Sequence, residues 1–149
     1  MIKVLVVEDE DLIRQGLKLT TTWSDFGSEI IGEAADGEEG REMILRLKPD
    51  LVITDIKMPK LSGLEMIESL QDEISCEYII LSGYDEFAYA KRAMRMGVRG
   101  YFCLLYTSSS VSGCLRASSC SLSWALGLCR AHPDRQRDRL SAASSSGSK

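Results

Sequence analysis

Four residues whose side chains could do chemistry each follow a short apolar run of the sequence. They are Glu8, Asp9, Asp55 and Ser82. Carboxylates can bind a metal cation or attack an electrophile, and a serine hydroxyl can donate a hydrogen bond to an anion. Chemistry at a single site requires that the fold bring the four residues together, so the elements that carry them decide whether such a site exists.

Apolar runs that favour β-strands alternate with segments of helical spacing from residue 1 to about residue 102. The runs predict strands at Ile2–Val7, Ile30–Ala34, Leu51–Thr54 and Tyr78–Leu81, and a fifth strand that begins at Tyr101. Helical spacing places Leu12, Ile13, Leu17 and Leu19 on a first helix, and Phe87, Ala90, Met94 and Met96 on a fourth. This alternation predicts an α/β fold with a doubly wound, five-stranded parallel sheet and helices on both faces.

The carboxyl ends of parallel strands share one edge of the sheet, and functional groups gather there at a switch point in strand order. Glu8, Asp9 and Asp55 are therefore expected to meet, with Ser82 nearby. Three close carboxylates repel one another unless a cation lies among them. Mg²⁺ suits such a site because it takes carboxylate oxygens, keeps waters and accepts a phosphoryl oxygen. The pattern predicts a phosphoryl-accepting site with Asp55 as the nucleophile and Ser82 as a hydrogen-bond donor.

Four motifs carry a resemblance to a known family. They are Lys3–Glu10 (KVLVVEDE), Thr54–Pro59 (TDIKMP) followed by Gly63-Leu64, Leu81–Tyr84 (LSGY) and Gly97–Tyr101 (GVRGY). In this order and at this spacing they resemble the receiver domains of two-component response regulators. Together with Trp23 and Phe26, they are most similar to the receivers of AraC-type DNA-binding regulators. The resemblance implies a flavodoxin-like (CheY-like) receiver fold over residues 1–102.

The resemblance also implies a role for each site residue. A sensor histidine kinase would donate the phosphoryl group to Asp55, with Mg²⁺ as the cofactor, in a domain that signals and is not an enzyme. The implied metal ligands are Glu8, Asp9, Asp55 and the backbone carbonyl of Lys57. The implied switch residues are Ser82 and Tyr101, and the residues that shape the loop are Pro59 and Gly63.

The chain departs from the family pattern just past Phe102. Receivers of this family carry a Lys-Pro pair three residues beyond the switch aromatic, and the lysine neutralises the phosphoryl group. Leu104 stands at the position of that lysine, and no lysine occurs between Arg99 and Lys149. We therefore expect no charge-neutralising lysine from this strand, and a last helix that is missing or replaced. A missing helix would leave one face of the sheet exposed. In the alternative, a diverged tail would cover that face with Leu115, Leu122, Trp124, Leu126 and Leu128.

The composition changes at the same place. Residues 1–102 contain 12 basic and 20 acidic residues, a net charge of −8, whereas residues 103–149 contain 6 basic and 2 acidic residues, a net charge of +4. The second segment holds 13 of the 19 serines and four of the five cysteines, with no Cys-x-x-Cys pair, so free thiols are expected. The sequence predicts an incomplete receiver at 1–102 and a non-homologous tail, disordered or artefactual, at 103–149.

Three other functions are alternatives to a signalling receiver. One is a truncated or chimeric receiver that binds metal but does not switch. A flavodoxin-type cofactor module would need a phosphate-binding loop rich in Gly, Ser or Thr where the acidic run Glu8–Asp11 stands. A phosphohydrolase acting through an aspartyl phosphate would need a second acid at the position of Lys57. These contrasts favour the receiver.

Composition and charge restrict the partners. The chain of 149 residues is 44% hydrophobic and 27% charged, with a net charge of −4, which is typical of a globular domain and does not favour a nucleic-acid surface. No secretory signal, membrane span or helix-turn-helix can be recognised, so a cytoplasmic chain without a DNA-binding domain of its own is expected. Receiver–receiver dimerisation is known in the family, but the missing last helix argues against it here.

Overall fold

The computed structural model of the chain describes residues 1–82 and 87–103; the side chains of Thr20, Phe87 and residues 101–103 are outside this description. The strands are β1 (Ile2–Val7), β2 (Ser28–Ala34), β3 (Leu51–Thr54), β4 (Glu77–Ser82) and β5 (Gly100–Cys103). The helices are α1 (Asp11–Thr20), α2 (Gly37–Leu47), α3 (Gly63–Leu70) and α4 (Phe87–Arg95), with a short 3-10 helix at Trp23–Phe26. Strand and helix alternate, as the hydrophobic pattern predicts.

The five strands form one parallel sheet with the order β2-β1-β3-β4-β5. From β1 the chain first adds β2 on one side and then places β3, β4 and β5 on the other. The switch point in strand order therefore lies between β1 and β3, where Val7 pairs with Thr54. The predicted doubly wound, five-stranded α/β fold is confirmed.

Two apolar cores lie on opposite faces of the sheet. On one face Val4 and Val6 of β1 pack with Ile13 and Leu17 of α1 and with Trp23. On the other face lies a larger cluster from the strands and from α2, α3 and α4. It includes Leu5, Val7, Ile44, Val52, Leu64, Ile67, Ile80 and Ala93. Because alternate residues of β1 enter different cores, its uninterrupted apolar run is that of a strand buried on both faces.

Not every apolar residue of the helices is buried. Leu12, Leu19 and Met94 are 66%, 84% and 75% exposed, although they lie at helical spacing from core residues. Their helices each cover the sheet with a single stripe, so neighbouring apolar positions fall outside it. The expectation of an exposed sheet face is not met in the described strands, because Ile53 and Ile79 are 1% exposed or less. The expected loss of the last helix concerns residues outside the described part of the chain.

Candidate functional site

The carboxyl ends of β1 and β3 bring three carboxylates together. The backbone N–H of Asp55 donates to the carbonyl of Val7 at 3.2 Å, which extends the β1–β3 pairing by one residue. Glu8 and Asp9 follow β1 at the same edge. One carboxylate oxygen from each of the three acids lies within 4.8 Å of the other two. The convergence expected from strand order is therefore present in the structure.

Glu8 is the most buried of the three acids, with only 2% of its surface exposed. Its backbone N–H donates to the Ala34 carbonyl at 3.0 Å, and its Oε1 accepts from the Glu10 N–H at 3.1 Å. Burial, followed by the negative charge of Asp55, raises the pKa of Glu8 to about 9. Without a cation, Glu8 is therefore protonated at neutral pH.

Asp55 is partly buried directly after β3. Burial raises the pKa of Asp55 to about 6. The Ile56 N–H, which donates to Oδ1 at 2.6 Å, opposes this effect, and the charges of Asp9 and Glu10 add to it. Lys57 lowers the pKa slightly. Such a site favours entry of a hard cation, because the cation replaces repulsion among the acids with attraction.

The loop between β3 and α3 fixes the backbone of Asp55. The Thr54 hydroxyl donates to the Asp55 carbonyl at 2.9 Å, and the Gly63 N–H donates to the Ile56 carbonyl at 2.8 Å. A Cβ atom on Gly63 would lie 1.9 Å from the Asp55 carbonyl oxygen, so only glycine fits there. Pro59 precedes this contact and accepts from the Leu61 N–H at 2.8 Å. The prediction that Pro59 and Gly63 shape the loop agrees with these contacts.

The remaining predicted site residues lie at the same edge or outside the described side chains. Ser82 ends β4, is fully buried and pairs with Cys103 of β5. Tyr101 pairs with Ile80 through its backbone, but its side chain is not described. Lys57 lies in the β3–α3 loop with an exposed side chain. Leu104 is outside the described residues.

Two basic residues near the site, Arg14 and Lys57, make contacts that the sequence does not indicate. The Nη1 of Arg14 donates to the Glu8 carbonyl at 2.6 Å, and its Nη2 pairs with Asp11 at 2.7 Å. The Nζ of Lys57 lies 5.7 Å from the centroid of the Tyr89 ring on α4. Helical spacing could place Arg14 on α1 but not the direction of its side chain, and Lys57 and Tyr89 meet only through the tertiary fold.

The fold and the carboxylate cluster together define an α/β module with an acidic site at its switch point. The family model for the response regulator receiver domain matches residues 4–103, and this chain belongs to that family. Receiver domains bind Mg²⁺ at an acidic pocket, and in transcriptional regulators they generally signal rather than catalyse. The three clustered acids, all oxygen donors, fit such an ion.

Named relatives agree with this assignment. The chain is 42% identical over 102 residues to the transcriptional regulatory protein YesN of Bacillus subtilis (strain 168), a match that covers 68% of this chain and 28% of that relative. It is 33% identical to the REC domain of AraT, a response regulator from Geobacillus stearothermophilus, with a TM-score of 0.68, covering 84% of this chain and 95% of that one. The response regulator domain of Thermotoga maritima CheB is 28% identical with a TM-score of 0.76, covering 87% and 96%.

The relatives confirm the receiver family, whereas the likeness to AraC-type regulators stays a prediction. The match covers 28% of the length of YesN, so the activity of the whole of YesN is not assigned to this chain. Among the helices of the described residues, none has the length and apolar character needed to cross a membrane.

Proposed function

We propose that this domain accepts a phosphoryl group on Asp55 from a phosphohistidine of a sensor histidine kinase. The observation that carries the proposal is the cluster of Glu8, Asp9 and Asp55, whose oxygens lie within 4.8 Å of one another at the switch point. Neither a structural ion-pair network nor a helix cap accounts for three acids that converge in this way. The family assignment supports the same function.

The mechanism assigns a task to each residue of the site. Glu8, Asp9, Asp55 and the Lys57 carbonyl would hold Mg²⁺, which when bound offsets carboxylate repulsion and the charge of the phosphoryl oxygens. The Ile56 N–H orients the Asp55 carboxylate. An Asp55 oxygen attacks phosphorus, the bond from phosphorus to the kinase imidazole breaks, and its electron pair stays on the imidazole nitrogen.

Ser82 and Tyr101 are proposed to report the phosphorylated state. The Ser82 hydroxyl would donate to a phosphoryl oxygen, and the Tyr101 side chain would respond to that shift. In a longer parent protein the altered surface would regulate transcription, as the naming of relatives such as YesN suggests. This output is proposed for the parent and not for a DNA-binding domain within this chain.

A second candidate is a receiver that binds metal but does not switch. The observation that favours it is Leu104, which stands where the family's lysine would neutralise the phosphoryl group. Its predictions differ from those of the first candidate in one respect: Mg²⁺ binds, but phosphorylation does not alter the environment of Ser82.

Both candidates can be tested by incubation of the full chain with radiolabelled acetyl phosphate and Mg²⁺. We expect acid-stable, hydroxylamine-sensitive label on the chain, lost in Asp55→Asn and after chelation of Mg²⁺. Asp50→Asn is the matched control, because Asp50 precedes the same strand and its Oδ2 accepts from the Lys3 N–H at 2.8 Å, an acceptor that asparagine can retain. Label that persists in Asp55→Asn would refute the proposal. Label without a change in the Ser82 amide signal would favour the second candidate.

A further inference from the structure

We infer that Lys57 supplies the positive charge missing at Leu104, by pairing its ammonium with the phosphoryl group on Asp55. The inference rests on the proposed function, because it names the residue that balances charge at the same site. Its starting point is a feature of the sequence: no lysine occurs between Arg99 and Lys149, so the segment that follows β5 offers none near its start.

The phosphorylated site would carry more negative charge than Mg²⁺ alone can neutralise. Phosphorylation converts the Asp55 carboxylate into an acyl phosphate that carries about two negative charges. Glu8 and Asp9 remain within 4.8 Å of the Asp55 oxygen, so a divalent metal leaves the cluster negative. A lysine ammonium at hydrogen-bond distance from a phosphoryl oxygen would reduce this excess.

The position of Lys57 allows its ammonium to supply this additional positive charge. Lys57 lies two residues after Asp55, and the intervening Ile56 is turned into the core with 2% of its surface exposed. The Nζ of Lys57 lies 5.7 Å from the Tyr89 ring on α4, the helix that follows β4. The Lys57 side chain therefore reaches α4, the helix that follows β4, and β4 is the neighbour of β3 in the sheet.

The electrostatics of Asp55 give independent support. Burial is the main cause that raises the pKa of Asp55, and Lys57 is the basic residue whose charge opposes it. A phosphoryl group has more negative charge than the carboxylate and extends farther from the backbone, so it should attract the ammonium more strongly than Asp55 does.

Other basic residues described near this side of the sheet have partners elsewhere. Arg14 donates to the Glu8 carbonyl at 2.6 Å and pairs with Asp11. Lys60 pairs with Asp36 at 3.1 Å. Neither contact is directed at the Asp55 carboxylate, and Lys57 lies closer to Asp55 along the chain than either residue.

The test measures binding of beryllofluoride, a phosphoryl mimic, to the Mg²⁺-loaded full chain by fluorine NMR. Lys57→Gln removes the ammonium but keeps the backbone carbonyl that is expected to bind the metal. We expect beryllofluoride to bind about fivefold more weakly, as for the loss of one charge-assisted contact, and Lys57→Arg to keep most of the affinity. Lys60→Gln, three residues away in the same loop, should bind as the unmodified chain does.

Two further measurements separate charge pairing from a structural role. Lys57→Gln should raise Mg²⁺ affinity without beryllofluoride, because it removes a like charge beside the metal site and keeps the backbone carbonyl. The loss of beryllofluoride affinity should shrink at about 1 M salt, where charge interactions are screened. Adding Leu104→Lys to Lys57→Gln should restore the affinity for beryllofluoride, because a lysine at either position would pair with the same phosphoryl mimic.

The outcomes are distinct. Equal beryllofluoride affinity in Lys57→Gln and the unmodified chain would overturn the role of Lys57 while leaving the proposed function intact. Parallel loss of Mg²⁺ and beryllofluoride affinity would also overturn it, because a disturbed loop would then be the cause. An unmodified chain that binds Mg²⁺ but no beryllofluoride would refute phosphoryl acceptance itself, and this inference with it.

Discussion

Glu8 combines nearly complete burial with a position beside two other acids. Its pKa of about 9 means that without metal it behaves as a neutral hydrogen-bonding group at pH 7. The fold therefore tolerates Glu8 by keeping it protonated, and metal binding must displace that proton. Glu8 is thus uncharged in the metal-free state and a negatively charged ligand in the metal-bound state.

This dual behaviour predicts that Glu8→Gln changes metal-free stability little and lowers Mg²⁺ affinity strongly. Glutamine resembles the protonated acid, so the metal-free free energy of unfolding at pH 7 should change by less than about 1 kcal/mol. Mg²⁺ affinity should fall roughly tenfold or more, because an anionic ligand is lost. Urea titration and calorimetry would measure the two effects. Glu29→Gln, an exposed acid on β2, should alter neither; a large loss of metal-free stability in Glu8→Gln would contradict the protonated state.

The raised pKa values also predict how stability depends on pH. Because folding raises the pKa of Asp55 from 3.8 to about 6 and that of Glu8 from 4.5 to about 9, the folded chain binds more protons than the unfolded chain between these values. Metal-free stability should therefore be highest below about pH 4 with respect to these groups and should fall as pH rises toward 9.

For Asp55 alone the loss should reach up to ~3 kcal/mol once the carboxyl is ionised. Denaturant unfolding at several pH values would measure it, and the double variant Glu8→Gln, Asp55→Asn should remove most of the slope. Saturating Mg²⁺ should reverse the trend, because metal affinity rises as the acids lose protons. Metal-free stability that increases between pH 5 and pH 8 would contradict the assigned pKa shifts.

At the scale of elements, the start of α3 is tied to the acid site. Ser62 caps the helix by accepting from the Glu65 N–H at 3.3 Å, and Glu65 accepts in return from the Ser62 N–H at 3.1 Å. One residue later, Gly63 approaches the Asp55 carbonyl so closely that a side chain cannot fit. The cap stabilises the helix, whereas the glycine places the phosphoacceptor.

Gly63→Ala and Ser62→Ala should therefore differ in their effect on Mg²⁺ affinity, although both should lower stability. Ser62→Ala should cost about 1 kcal/mol of stability, as for the loss of a helix cap, and leave Mg²⁺ affinity nearly unchanged. Gly63→Ala should cost roughly 1–3 kcal/mol, because the loop must move, and should also weaken Mg²⁺ binding. Thermal unfolding and metal titration of both variants would separate the effects. Equal Mg²⁺ affinity in the two variants would show that the close contact does not position Asp55.

The elements were predictable from sequence where periodicity is strong, and the contacts between them were not. Ile2–Val7 is continuous and β-branched, and it forms β1 with the predicted bounds. The second and fourth strands extend to Ser28 and Glu77, because pairing with β1 and β3 adds residues that local propensity does not favour. The site acids follow from strand order, but the burial of Glu8 and the contact between Lys57 and Tyr89 depend on packing between distant segments.

At the scale of the whole molecule, the boundary near residue 102 stays a prediction, because the residues after Cys103 lie outside the described part. If residues 103–149 are unrelated to the receiver, trypsin should cut first in their charged, apolar-poor stretch. The expected sites are Arg135, Arg137 and Arg139. Mass spectrometry should then show a persistent fragment that contains residues 1–103. Equally early cuts at Arg41 or Arg46, within the domain, would contradict the boundary.

The strand order has a consequence for synthesis on the ribosome. After β1 and β2 have paired, β3 joins the free edge of β1, β4 joins β3 and β5 joins β4, so no strand has to be inserted between two that are already paired. A nascent chain can therefore add each strand to a template that has already emerged. Among the described strands, β5 is the last addition and has one neighbour in the sheet. Changes to the gene downstream of Cys103 thus affect a chain whose strand pairing has already been specified.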